Sequence, residues 1–152
     1  MSALLQEYAA VVGEDVIDQL LQLAEPLKGK KVVHINSTRA GGGVAEILTK
    51  LVPLQRELGM DAQWEIIPGQ DEFYQCTKLF HNALQGRTAV LPESLKQAYE
   101  ETNAQCAEEH HALLRDADAV FIHDPQPAAL LPHIHDRKGK WIWRCHIDVS
   151  HP

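Results

Sequence analysis

The sequence predicts an α/β domain, a parallel sheet flanked by helices, and three observations carry that prediction. Val32-Val33-His34-Ile35 and Ala119-Val120-Phe121-Ile122 are short, largely apolar runs of the kind buried on both faces of a parallel sheet. The longer stretches between them place apolar residues at helical spacing. Val32 to Ile35 also runs into a polar turn, Asn36 to Ala40, and then three glycines, Gly41 to Gly43, which read as a strand-to-helix bend.

Bulk properties bound the rest. A chain of 152 residues with 45% apolar content buries one real core, so a single domain is expected. The net charge of −7, without a Lys/Arg cluster, argues against a nucleic acid or an acidic membrane as partner. No apolar run approaches a membrane span, and the N-terminus lacks a basic-then-apolar signal pattern. Cys76, Cys106 and Cys145 show no CxxC spacing and read as reduced, mostly buried thiols of a cytoplasmic protein.

Taken in order, Ser2 to Leu27 carries Leu4, Leu5, Tyr8 and Val12, then Val16, Ile17, Leu20, Leu21 and Ala24, on apolar faces: one or two helices, broken near Gly13. Pro26 and Gly29-Lys30 close that segment ahead of the first strand, Val32 to Ile35. After Gly43, Val44, Ile47, Leu48, Leu51 and Leu58 keep helical spacing, with Gln55 as a polar gap and Gly59 as the stop. Pro53 inside that pattern predicts a kink or break.

Ala62 to Pro68 reads as the second strand and Asp71 to Gln85 as a helix with Phe73, Thr77, Phe80 and Leu84 inward. Lys78, His81 and Asn82 fall on its polar side, which predicts a solvated face. Pro92 to Arg115 is the next helix, with Leu95, Tyr99, Thr102, Cys106 and Leu113 at helical spacing. The third strand, Ala119 to Ile122, runs into His123-Asp124-Pro125-Gln126-Pro127, a turn stiffened by its prolines. Ala128 to Ile134 is a short helix or turn. Lys140 to Asp148 is the fourth strand, whose alternation sends Arg144, His146 and Asp148 to one face.

Open α/β sheets bind ligands at the carboxyl ends of their strands, and three features converge there. They are the glycine bend, His123-Asp124, and the Arg144/His146/Asp148 row. Free amides at a helix start favour negative charge, so a phosphate or diphosphate suits the bend, although a sharp turn also uses glycine for steric reasons alone. A P-loop is excluded because Val44 and Ala45 follow Gly43. A dinucleotide fingerprint needs glycine where Glu46 stands, yet Glu65 keeps a nicotinamide-binding reading open as a minority alternative. His110-His111 are adjacent on a helix and His133-x-His135 lacks a Cys or carboxylate partner, so no metal is expected.

Four blocks in order, His34 to Glu46, Phe80 to Gly86, Phe121 to Pro127 and Trp143 to Asp148, resemble the N-terminal domain of the trehalose glycosyltransferring synthases, with the trehalose phosphorylases close behind. Both are retaining family-4 glycosyltransferases. The resemblance implies a Rossmann-like domain, one half of a GT-B architecture with its active site between two domains. It implies reversible transfer of glucose between a nucleoside diphosphate and glucose, making or cleaving trehalose, with no metal and no cofactor beyond the nucleotide sugar. By resemblance, Gly42 and Gly43 approach the donor diphosphate, Asp124 holds acceptor hydroxyls and His146 lies by the transferred glucose. Asn36, Arg39, Gln126, Arg144 and Asp148 are further candidates for the sugar pocket.

The sequence ends just past the fourth strand, which predicts residues 1–152 to be a partial acceptor-side domain without the donor-binding one. Little or no transferase activity is expected of it alone, and self-association through exposed sheet surface is expected. A free-standing sugar-binding or interaction module without chemistry is the alternative.

Overall fold

The computed structural model describes residues 1–150. The apolar runs pair side by side. β1 (Lys31–Asn36), β2 (Asp61–Ile66), β3 (Ala119–His123) and β4 (Lys140–Arg144) form one parallel sheet in the order β2-β1-β3-β4. The β1 register sets His34 between Trp64 and Phe121. From β1 the chain crosses to β2 on one side and returns to place β3 on the other, so the strand order reverses between β1 and β3. That reversal is where a doubly wound sheet opens a crevice.

Helices pack on both faces of the sheet, and the pleat divides the strand side chains between them. Val33, Ile35, Val120 and Ile122 point to the face covered by α4 (Asp71–Leu84) and α5 (Glu93–Glu109), where they meet Phe73, Cys76, Tyr99 and Cys106. Each large side chain fully buried there, such as Phe73, contributes about 1.5–3 kcal/mol. On the other face α3 (Gly43–Glu57) lays Leu48 and Val52 over Ala62. α1 (Ala3–Val12) and α2 (Glu14–Ala24) pack Leu5, Ile17 and Ala24 against Leu58, just past the end of α3. Gly13, at φ 92°, makes the break between those two helices that the sequence predicts.

All three cysteines are free, and burial pushes the Cys106 thiol up to about 11 and the Cys76 thiol up as well. Both are held as inert protonated thiols in the core. No described helix is long and apolar enough to cross a membrane.

Four expectations about element boundaries need correction. Pro53 does not interrupt α3, which is continuous from Gly43 to Glu57. It lies on the exposed side with Thr49, whose carbonyl loses its helical donor where water can replace it. The helix predicted over 92–115 is divided at His110, and α6 (His111–Asp116) starts afresh, turning Leu114 fully into the core. The second strand ends at Ile66 rather than Pro68, with Ile67 still donating to the Asn36 carbonyl at 3.0 Å.

The fourth strand stops at Arg144, not Asp148. Its only partner among the described residues, β3, ends at His123, and the last rung is Asp124 N–H to the Arg144 carbonyl at 3.0 Å. With no strand left to pair, the chain leaves the sheet, so Arg144, His146 and Asp148 do not form one pleated row.

Candidate active site

Residues leaving β1 and β3 meet in the crevice that the strand order creates. A cavity of about 230 Å³ is lined by Asn36, Gly41, Gly42, Gly43, Asp124 and Gln126, among others. Gly41 and Gly42 take φ of 77° and 86°, conformations costly for any residue with a Cβ, and Gly42 leads directly into α3. No side chain caps that helix start, so its first amides point toward the cavity end without intrahelical acceptors. An added Cβ at any of the three glycines meets nothing within 4 Å, so the space over this backbone is open. Such a helix start suits an anionic ligand.

The facing wall is the proline turn. Asp124 sits at φ 62°, a left-handed conformation that Asp tolerates better than most residues. Its Oδ1 accepts from the backbone N–H of His146 at 2.6 Å, and its carbonyl accepts from Trp143 Nε1 at 2.9 Å. Thus Asp124 ties the segment after β4 to the end of β3. From beneath, the Tyr99 hydroxyl donates to the Pro125 carbonyl at 2.8 Å and Asn103 Nδ2 to the Gln126 carbonyl at 3.1 Å. Burial raises the Tyr99 hydroxyl to about 12, which keeps it a donor.

Of the residues singled out in the sequence, Gly42, Gly43, Asp124 and Gln126 share the cavity wall, and His146 is bound to it through Asp124. Asn36 also reaches it, but its amide is committed to the Thr38 carbonyl and Trp64 Nε1, both at 2.7 Å. Arg39 turns away toward β2. Its Nη2 donates to the Trp64 carbonyl at 2.6 Å, with the guanidinium 5.0 Å over the Trp64 ring and 3.9 Å from Glu65. Arg144 is exposed at the end of the edge strand. Asp148 accepts from the amide and hydroxyl of Ser150, which hold its carboxyl below the usual range.

A second, larger cavity was not legible as one. Lys78, His81, Asn82 and Gln85 of α4 and its C-cap, with Tyr74, Thr77 and Gln126, line a space of about 410 Å³. The predicted solvated face of α4 is therefore one wall of a polar cleft, joined to the smaller cavity through Gln126. The signal was the spacing of 78, 81, 82 and 85, which puts four hydrogen-bonding side chains on one helical stripe. Together the two cavities offer amides for an anion and many donors and acceptors for hydroxyls.

Comparison with known proteins places the chain in a family. Residues 34–152 match the family described as trehalose synthase, N-terminal domain. The chain is 46% identical over 149 residues to a trehalose synthase of Pyrococcus horikoshii and 48% identical to one of Thermococcus litoralis, covering 97% of this chain and 35% of each relative. A trehalose phosphorylase of Pleurotus pulmonarius is 31% identical over 157 residues, 95% of this chain and 21% of the relative. The chain thus spans about a third of the length of the synthases it matches. On the extent of that match, the chain belongs to the family of trehalose synthase N-terminal domains.

Proposed function

We propose that this chain is the N-terminal, acceptor-side part of a retaining glucosyltransferase that moves glucose reversibly between a nucleoside diphosphate and glucose, forming or cleaving trehalose. A second α/β domain, carrying the nucleotide site, completes it. The observation that carries this reading is the shared cavity of the glycine bend and the Asp124-Gln126 turn, with His146 bound to Asp124.

In this reading the donor diphosphate approaches Gly42 and Gly43, whose open backbone and helix amides receive its charge. Asp124 keeps Oδ2 for the hydroxyls of the acceptor glucose, while Oδ1 holds His146 beside the transferred sugar. Gln126 completes the sugar pocket, and Asn36 lines the same cavity with its amide held by Thr38 and Trp64; Arg39, Arg144 and Asp148 are assigned to the sugar by resemblance alone. The bond from the glucosyl carbon to the phosphate oxygen breaks, and a bond to the acceptor oxygen forms on the same face. The acceptor proton passes to the departing phosphate, so the step needs no metal and no protein nucleophile. Acceptor atoms of the site, which receive hydrogen bonds from the hydroxyls of the transferred glucose, steady the positive charge that develops on the sugar.

Incubating the two-domain protein with UDP- or ADP-glucose and glucose is expected to give trehalose with configuration retained at the donor carbon. This chain alone is expected to give none, and turnover by it would overturn the division of labour. The setting is the cytoplasm, where free thiols persist.

Alone, the chain is also expected to self-associate. Ile142 and Trp143 on β4 are 40% and 52% exposed, and an apolar cavity of about 430 Å³ opens over Val32, Ala119 and Phe121. Sedimentation should show dimers or larger species that dissociate when Ile142 is replaced by lysine; a strictly monomeric chain would contradict this.

A further inference from the structure

Two histidines that the proposed reaction does not use are buried on the α3 face of the sheet. His34 and His123 are each 1% exposed. Their rings and that of His146 lie nearly parallel, edge to edge, with centroids 5.3 and 5.2 Å apart and planes inclined by 29° and 23°. Phe121 stacks on the face of His34, the rings 4.9 Å apart and inclined by 15°.

The contacts between them run nitrogen to nitrogen. Gln55 Oε1 lies 2.8 Å from His34 Nε2, His34 Nδ1 lies 3.0 Å from His123 Nε2, and His123 Nδ1 lies 2.9 Å from His146 Nε2. Each such contact holds one hydrogen, and a neutral imidazole carries one N–H. The far end therefore dictates the near end. With the Gln55 oxygen toward His34, as placed here, it can only accept, so His34 carries its hydrogen on Nε2 and leaves Nδ1 bare. Then His123 must donate from Nε2, and His146 must do the same. Desolvation lowers both buried histidines, His123 to about 3, and the Arg144 charge acts in the same direction, so neither takes up a second proton near neutrality.

We propose that Gln55, acting through His34 and His123, fixes the tautomer of His146, leaving its Nδ1 as an acceptor on the residue that Asp124 ties to the cleft. Gln55 is thus a positioning residue at the end of a three-imidazole chain. Resting on the transferase reading, the consequence is that His146 Nδ1 receives a hydrogen bond from a hexose hydroxyl and does not donate one to the leaving phosphate. This explains why the apolar stripe of α3 is interrupted at Gln55: a leucine there would leave His34 without an acceptor.

The test is the long-range proton–nitrogen spectrum of the chain labelled with ¹⁵N in its imidazoles, at neutral pH and without any sugar. For His34, His123 and His146 it is expected to show Nε2 in the protonated range and Nδ1 in the unprotonated range. Gln55→Glu, whose carboxylate only accepts, should keep that pattern, and Gln55→Lys, which only donates, should invert it at all three rings. A protonated His146 Nδ1 in the parent chain, inversion in Gln55→Glu, or an unchanged His146 in Gln55→Lys would each overturn the proposal. The parent spectrum decides even if a variant fails to fold. Because no substrate is involved, the outcome is independent of whether the protein transfers glucose.

Discussion

Replacing Asp124 by glycine is expected to lower trehalose formation by the two-domain protein about 100-fold or more, within the range for a positioned group acting in the transition state. Two losses add in this one substitution. The acceptor glucose loses its carboxylate, and the His146 amide loses the bond at 2.6 Å that holds this segment to the cleft. Stability should change far less. A hydrogen bond to a charged acceptor is worth about 1.5–3 kcal/mol, and glycine returns about 1–2 kcal/mol by accepting the left-handed conformation freely. Asp124→Ala loses the bond and keeps the strain at φ 62°, so it should unfold at a lower temperature than Asp124→Gly. Asp124→Asn separates charge from geometry: it keeps an acceptor for His146 and tolerates the backbone, so its rate should lie between parent and glycine variant. Initial rates and thermal melts of the three variants check the series. Asp124→Gly with more than a tenth of the parent rate would remove Asp124 from the site.

The core and the rim were readable because each rests on a local rule. Val32 to Ile35 is apolar enough to demand burial on both faces, and three glycines before Val44 demand a bend, so the place where β1 hands over to α3 follows from neighbours in sequence. Asp124 was readable as a turn residue for the same reason, the prolines beside it leaving few conformations. What escaped depends on distant partners. The end of β4 is set by where β3 ends, some twenty residues earlier, and no alternation within residues 140–148 reports it. His34 is one residue of an apolar run, and its partners Gln55 and His123 come from a helix and another strand. The interruption at Gln55 was visible as a gap without a cause, and the stripe of Lys78, His81 and Asn82 was visible as polarity without a facing wall. Both acquire meaning only when the sheet order brings Gln126 and the imidazoles into place.

Acidification from pH 7 to pH 5 is expected to destabilise the chain by about 2 kcal/mol on account of His123 alone. The direction follows from proton counts. An unfolded histidine binds its proton near its ordinary value of 6.5, whereas folded His123 does so only at about 3. Between those values the unfolded state holds more protons, so stability falls as pH falls, beginning near 6.5 and continuing toward 3. Burial shifts His34 the same way and adds to the loss. The carboxylates lowered by hydrogen bonds, Asp116, Asp118 and Asp148, have ordinary values of 3.8, so their contribution is lost below pH 5 and leaves this window to the histidines. Urea unfolding at half-unit steps of pH measures the slope. His123→Asn cannot bridge both neighbouring imidazoles, so it should be less stable than the parent at pH 7 and yet lose less between pH 7 and pH 5. An unfolding free energy that stays level across that interval in the parent chain would mean that His34 and His123 are not held neutral by burial in the folded protein, and the buried imidazole chain behind His146 would be ruled out with it.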